Sequence, residues 1–408
     1  MIGLLPEPLE PDWANVLAEV AREVRLPGLD DPRLPGHVSK MAAVYNDDRL
    51  RGLGGSREQL AARLSFWFPR DVPKMAGAAR ELIAMGRLRI GQATALRVLD
   101  VGAGLGASHR GLARALAAAG GLGTVDVLAV DDDRDALRVA AAIAKKRPRE
   151  GAVDVRLKTE EASFVELVKR PPRGRFGVIL VGQMLSELDL ELDEAARVEL
   201  HAEQLAALAR EALEPDGVLL IVEPALRPRS RHLQRLRAAL LQRRLRVLAP
   251  CLHEGRCPLL GRDTDWCHED LAVDLPPFLQ PVAKKAGLRW EGLTFSYLAL
   301  SSKPPRLVDS LTAGPDRERA VSALLVSKGK RELVVCGDPL RGDVAGDDPL
   351  GPHGARIGRL DRARSEVNAV FDDLGRGDVV SLGPLDEKLR LGPDAPIEHL
   401  SARVARVD

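Results

Sequence analysis

Three cysteines, Cys251, Cys257 and Cys267, stand in the irregular stretch "PCLHEGRCPLLGRDTDWCHED" at 250–270, and the fourth, Cys336, lies far downstream in "RELVVCGDP". In a reducing compartment, clustered thiols more often bind metal than form disulfides. Five residues separate Cys251 from Cys257, and nine separate Cys257 from Cys267. A zinc site usually includes at least one tight C-x₂₋₄-C pair, and neither interval is that tight. A 4Fe-4S cluster takes one thiolate at each of four irons, so longer intervals and a remote fourth ligand suit it. Zinc held by any four of Cys251, Cys257, Cys267, Cys336, His253 and His268 stays open, because spacing alone does not fix the metal. Unligated buried thiols are the third reading, and a Pro- and Gly-rich loop is a poor place to build a core from them. The x₃, x₂ cysteine triplet of radical S-adenosylmethionine chemistry is absent, so a cluster here is not expected to cleave that cofactor.

A second group of residues points to a cofactor. "RVLDVGAGLGASHRGL" sets Gly102, Gly104 and Gly106 directly after an apolar run and before a helical segment, where backbone must approach a ligand closely and a Cβ would obstruct it. Gly102, Gly104 and Ala107 also satisfy the dinucleotide fingerprint, so the turn alone does not name its ligand. Three features favour S-adenosylmethionine. Asp100 precedes the glycines in "LDVGAGLG", which resembles the first motif of Rossmann-like methyltransferases, whose carboxylate serves the methionine end of the cofactor. Asp131 ends the next strand in "VLAVDDDRDAL", where an acid can accept from ribose hydroxyls. "LEPDGVLLIVEP", with Gly217, Glu223 and Pro224, is similar to the turn and fifth strand of that fold. The bland alternative is a ligand-free turn, with Asp132 and Asp133 as helix-start acids.

No catalytic residue is assigned. The fourth strand runs into "VGQMLSELDL" without the Asn or Asp, Pro-Pro and aromatic run used to methylate an exocyclic base nitrogen. Gln183, Ser186 and Glu187 can line the pocket or simply finish a strand and cap a helix. Pro250-Cys251 follows the fifth strand rather than the fourth, which rules out the thiolate role it has in cytosine-C5 methyltransferases.

A third group is basic. "ALRPRSRHLQRLRAALLQRRLRVLAP" carries eight arginines from Arg227 to Arg246 and no acid. Leu233, Leu236 and Leu240 form an apolar stripe, while Arg227, Arg231 and Arg235 recur every four residues on another face, joined by Arg237. Like charges at that spacing cost a few tenths of a kcal/mol per pair, and a phosphate backbone would supply the counter-charge. The competing reading is a solvated arginine face.

These residues need elements to position them. The 408-residue chain is 45% hydrophobic and 29% charged, enough for two or three domains with a real core. Residues 1–90 read as an N-terminal helical region with helical apolar spacing, interrupted at Pro69 and Pro73. Over 91–302, apolar runs such as "RVLDV", "VDVLAV", "FGVILVG" and "GVLLIVEP" alternate with helical segments. That pattern predicts an α/β fold with a parallel sheet covered on both faces, carrying the Cys-rich insertion 250–270. Residues 303–408 form an extension with a short β-rich part to 336, and 337–363, rich in Gly, Asp and Pro, reads as a mobile loop. The net charge of +1 and 3% aromatic content exclude a global nucleic-acid signature, so any RNA contact must be local. No stretch approaches the roughly 20 apolar residues of a membrane span, and "MIGLLPEPLEPDW" has no secretory pattern. The expected address is cytoplasmic, away from membranes.

With the cysteines placed after a methyltransferase-like sheet, residues 40–340 resemble the methyltransferase-like assembly factors of the mitochondrial ribosomal small subunit and their bacterial relatives, most specifically in "APCLHEGRCPLLGRDTDWCHED" with Cys336. The resemblance implies a Rossmann-like class I methyltransferase sheet, a 4Fe-4S cluster on Cys251, Cys257, Cys267 and Cys336, and association with small-subunit ribosomal RNA during assembly. It leaves open whether any methyl group is transferred. The sequence departs from the family pattern after Cys336. The expected protein is therefore an rRNA-binding assembly factor with an S-adenosylmethionine site, monomeric when free. The alternatives are an active RNA or protein methyltransferase, a zinc-stabilised binding protein, and a redox enzyme using the cluster.

Overall fold

A computed structural model describes residues 5–46, 56–303, 317–337 and 350–401. The N-terminal helices are α1 (Trp13–Glu23), α2 (Leu34–Asn46), α3 (Arg57–Ala62) and α4 (Phe68–Ala84). In α1, Trp13, Leu17, Val20 and Ala21 recur at helical spacing and are all buried. They pack with α3 and α4. Pro69 and Pro73 do not interrupt this region as expected. Helix α3 runs through a π-helical turn, Arg63–Trp67, straight into α4. Phe68 donates its N–H to the Arg63 carbonyl, five residues back. This wider turn stands immediately before Pro69, where the ring removes a donor and crowds the preceding turn.

The main sheet follows in the order β1 (Leu96–Val101), α5 (Ala107–Ala118), β2 (Gly123–Asp131), α6 (Arg134–Lys146), β3 (Arg149–Glu150), β4 (Val153–Glu161), α7 (Phe164–Lys169), β5 (Phe176–Gly182), α8 (Glu194–Ala212), β6 (Leu213–Glu223), α9 (Arg227–Gln242), β7 (Arg246–Ala249), β8 (Glu269–Leu271), α10 (Gln280–Lys285) and β9 (Leu293–Ser301). Its spatial order is β3-β4-β2-β1-β5-β6-β9-β7, with β8 on β9. Strands β4, β2, β1, β5 and β6 are parallel, and β9 enters antiparallel between β6 and β7. This is a doubly wound, Rossmann-like α/β sheet, and the strand order reverses between β2 and β5, on either side of β1. Alternate residues feed two cores. Val98, Val178 and Leu180 face α4 and α5, whereas Leu99, Ile179 and Val181 face α8 and α9.

A second sheet comprises β10 (Glu318–Ala320), β11 (Leu325–Ser327), β12 (Lys330–Gly337), β13 (Gly354–Leu360), β14 (Val379–Leu382), β15 (Arg390–Leu391) and β16 (Ile397–Ser401). Leu333, Val335, Ile357 and Phe371 supply its core. The expected loop over 337–363 is thus corrected in part. Gly354–Leu360 pairs in full register with β12, because backbone pairing and the inward Ala355 and Ile357 outweigh a turn-rich composition. Residues 338–349 lie outside the described residues. The two sheets meet at buried Arg319, whose guanidinium donates to both carboxylate oxygens of Glu81 on α4 at 2.7 and 3.0 Å. Tyr297 of β9 donates to the same carboxylate at 2.9 Å. Among the described residues, no helix is long and apolar enough to cross a membrane.

Candidate functional site

The glycine turn sits at the C-terminal end of β1, next to the switch in strand order, where doubly wound sheets bind ligands. Gly102, Gly104 and Gly106 have φ of 61°, 50° and 87°, a region that L side chains rarely enter. A Cβ on Gly102 would lie 2.6 Å from the Met184 sulfur. Buried Asp100 accepts from the backbone N and Nδ1 of His109 through Oδ2, at 3.3 and 2.8 Å. Its Oδ1 is buried with no hydrogen-bond partner among the described residues. Asp131 accepts from the Gly104 N–H at 2.7 Å and the Asp133 N–H at 2.8 Å, and burial raises its pKa. Each of its oxygens keeps a second lone pair for a ligand hydroxyl. Asp133 caps α6 through the Ala136 N–H and pairs with Arg63 at 2.6 Å, so the helix-start role applies to this residue. Asp132 is exposed at the cavity edge.

Gly102, Gly104, Asp131, Asp132 and Asp133 line a cavity of about 560 Å³ that extends from the turn to the N-terminal helices, whereas Asp100 lies buried behind its wall. Gln183 and Glu187 line it, whereas Ser186 sits behind the wall and accepts from Arg229 at 3.2 Å. Sequence reasoning missed Lys74, Arg63, Tyr45 and Trp67, which line the same cavity. Lys74 is buried, donates to Gln183 at 2.8 Å and pairs with Asp71 at 3.0 Å. Burial brings its pKa down to about 8. Asp71 and Lys74, one turn apart in α4, were the available signal.

The cysteines converge on a different cavity. Cys251 follows β7, Cys257 precedes the turn Pro258–Leu260, Cys267 leads into β8, and Cys336 lies in β12 opposite Arg319 and Gly354. All four thiols line one space of about 40 Å³, together with Arg237, His253 and His268. Burial, reinforced by neighbouring thiolates, pushes the Cys257 pKa up to about 11 and raises those of Cys267 and Cys336 further. Metal-free, these three thiols stay protonated, whereas a bound metal would deprotonate its thiol ligands. Burial, with Arg237 and His353 nearby, lowers the His253 pKa to about 3, so this ring is neutral. Its Nδ1 is buried without a hydrogen-bond partner among the described residues. Among the described residues, no three Cys, His, Asp or Glu side chains are drawn together as a formed metal site. In chemistry, four soft thiols beside Arg237 and Arg319 are a donor set of the kind iron-sulfur clusters and zinc take.

The basic helix faces the cysteine loop. Arg231 is buried and donates to the carbonyls of Leu259, Arg262 and Asp265 at 3.1, 2.6 and 2.8 Å. Arg237 is buried and donates to the carbonyls of Gly255 and His253. Arg235 pairs with Glu194 at 3.1 Å. Arg227 is exposed. Arg231 and Arg237, expected on a phosphate-facing row, are instead buried against loop carbonyls, and Arg231 also pairs with Asp263 at 3.2 Å. Carbonyl acceptors cannot be read as counter-ions in a sequence, which hid this arrangement.

Residues 76–342 match the family described as mitochondrial small ribosomal subunit Rsm22. The chain belongs to this family. The match takes in the glycine turn, the Arg-rich helix and all four cysteines. No curated protein matches the chain in sequence. Among solved structures, it is similar to the PH0226 protein from Pyrococcus horikoshii (18% identity, 45% of this chain and 64% of that one, TM-score 0.25). It is also similar to the cyclopropane synthase MmaA2 from Mycobacterium tuberculosis (21%, 37% and 44%, 0.24). A third likeness is to an S-adenosylmethionine-dependent methyltransferase from Clostridium acetobutylicum (9%, 64% and 97%, 0.33). The chain spans less than two thirds of the first two. At these scores the likenesses add nothing to the strand order, on which the fold stands.

Proposed function

We propose that this chain is an assembly factor of the small ribosomal subunit that binds rRNA, holds S-adenosylmethionine at the glycine turn and carries a 4Fe-4S cluster on Cys251, Cys257, Cys267 and Cys336. The family match joined to four thiols around one cavity carries this reading. Gly102 and Gly104 let the backbone approach the cofactor and Asp131 accepts from its ribose, while Asp100 supports the turn from behind through His109. When bound, S-adenosylmethionine supplies an electrophilic methyl group. A cluster would supply cationic iron that stabilises four thiolates in place of protons. Arg231 and Arg237 hold the loop carbonyls so that its three cysteines face Cys336.

The test is sedimentation of the tagged protein on gradients of cell extract. It should travel with precursor small subunits and be depleted from mature ones. Migration only as free protein would overturn the assembly reading. A second reading, an active RNA or protein methyltransferase, is favoured by the extension of the cavity past Gln183 to Lys74 and Trp67. Transfer of labelled methyl to small-subunit RNA or protein would establish it.

A further inference from the structure

The cofactor reading uses one end of the large cavity. The other end is walled by Tyr45, Trp67, Lys74, Gln183 and Trp290, with Arg70 and Arg289 also on its lining. Gln183 is a non-glycine residue at φ 57°, placed just past β5, and its N–H is fixed to the Val222 carbonyl at 2.7 Å. Strain of this kind persists where surrounding structure enforces it, often at ligand sites. Its side-chain oxygen accepts from Lys74, which leaves the amide NH₂ as a donor. Trp67 carries Tyr45 edge-on at 5.0 Å, and the Arg70 guanidinium lies 3.9 Å from its ring centre. Arg70 is half-buried and Arg289 exposed. Of the acids on the lining, Asp71 is paired with Arg70 and Lys74 at 2.7 and 3.0 Å, and burial raises the pKa of Glu187.

Aromatic walls, inward donors and cations at the mouth select a flat ring bearing carbonyl oxygens and attached to an anion. RNA-binding sites read unstacked bases in this way, against aromatic rings and Arg planes. We propose that this end of the cavity takes one unstacked nucleotide of an RNA strand, with its base against Trp67 and Tyr45, its carbonyl oxygens toward Lys74 and Gln183, and its phosphate at Arg70 and Arg289. The proposal rests on the rRNA reading above and moves the contact from the Arg-rich helix to the cavity.

The probe is a short unstructured RNA carrying 4-thiouridine, used with the full chain. Photocrosslinking of wild-type protein should label peptides spanning Tyr45, Trp67 or Gln183. In fluorescence titration, Lys74→Met and Arg70→Gln should each weaken RNA binding by about tenfold, the loss of one charged contact, with thermal melting reporting that each variant is folded. Wild-type affinity in both variants with crosslinks elsewhere overturns the nucleotide pocket while RNA binding itself stands. No RNA binding by wild-type protein overturns both readings. Crosslink-free binding of a peptide at this end would make the occupant a protein side chain and likewise overturn the proposal.

Discussion

At the residue scale, Glu223 is the most sharply perturbed carboxyl with a simple account. It ends β6 fully inside the protein, and its two oxygens accept from the N–H groups of Leu185 and Ser186 at 3.0 and 3.2 Å, fixing the turn that forms the cavity wall. Burial raises its pKa to about 7 from 4.5. The native state therefore binds more protons than the unfolded state between those values, and stability falls as pH rises through that window. Glu223→Gln should flatten the slope, removing a penalty of up to about 3 kcal/mol above pH ~7, as read by denaturant unfolding at pH ~5 and ~8. Equal slopes in both proteins would contradict the assignment. Asp131→Ala should weaken S-adenosylmethionine binding by about 1–3 kcal/mol in calorimetric titration. The loss combines a missing ribose acceptor with a loosened turn, because Asp131 also holds the Gly104 N–H. Undetectable binding by wild-type protein would refute the cofactor claim. The strand-turn-helix pattern made the turn glycines legible in the sequence and placed both acids near the ends of their strands. Lys74 was not legible, because its partner Gln183 is 109 residues away in the chain.

At the element scale, α9 acts as a brace. Its apolar stripe, Leu233, Leu236 and Leu240, is buried as its periodicity predicted. The arginine row could not be assigned from spacing, since its partners are backbone oxygens of a loop with no periodic pattern and the acids Glu194 and Asp263 on other segments. Arg231→Met should leave the Leu259, Arg262 and Asp265 carbonyls unpaired. A destabilisation on the order of 2–3 kcal/mol is expected, with faster amide exchange confined to 257–267 and little change in β1. Unchanged exchange would return Arg231 to a surface role. Helix α4 shows the opposite limit of local reasoning. Two prolines argue for a break, yet Val72, Met75, Ala79 and Leu82 are buried against the sheet and its neighbours. Tertiary packing outweighed the lost donors.

At the scale of the whole molecule, the cysteine cavity lies where the main sheet, its loop and the second sheet meet, with Arg319 and Tyr297 among its lining. The alternation of strands and helices predicted the first sheet. The pairing of β13 with β12 was hidden because it joins segments separated by a Gly/Pro-rich stretch, and register over that distance is set by packing rather than composition. On the present account the four thiols clip the two sheets together. The proposed ligands come from segments about 70 residues apart, so metal binding would close a long loop and its free energy would appear as folding stability. The most direct measurement is anaerobic purification of wild-type protein and Cys336→Ser with iron, acid-labile sulfide and zinc analysis, joined to thermal melting. The account predicts iron and sulfide in equal amounts in the wild type, both lost in Cys336→Ser together with a lower melting temperature and faster exchange in 250–270 and 317–337. Stoichiometric zinc in place of iron, or a Cys336→Ser variant that keeps its iron and melts like wild type, would contradict it.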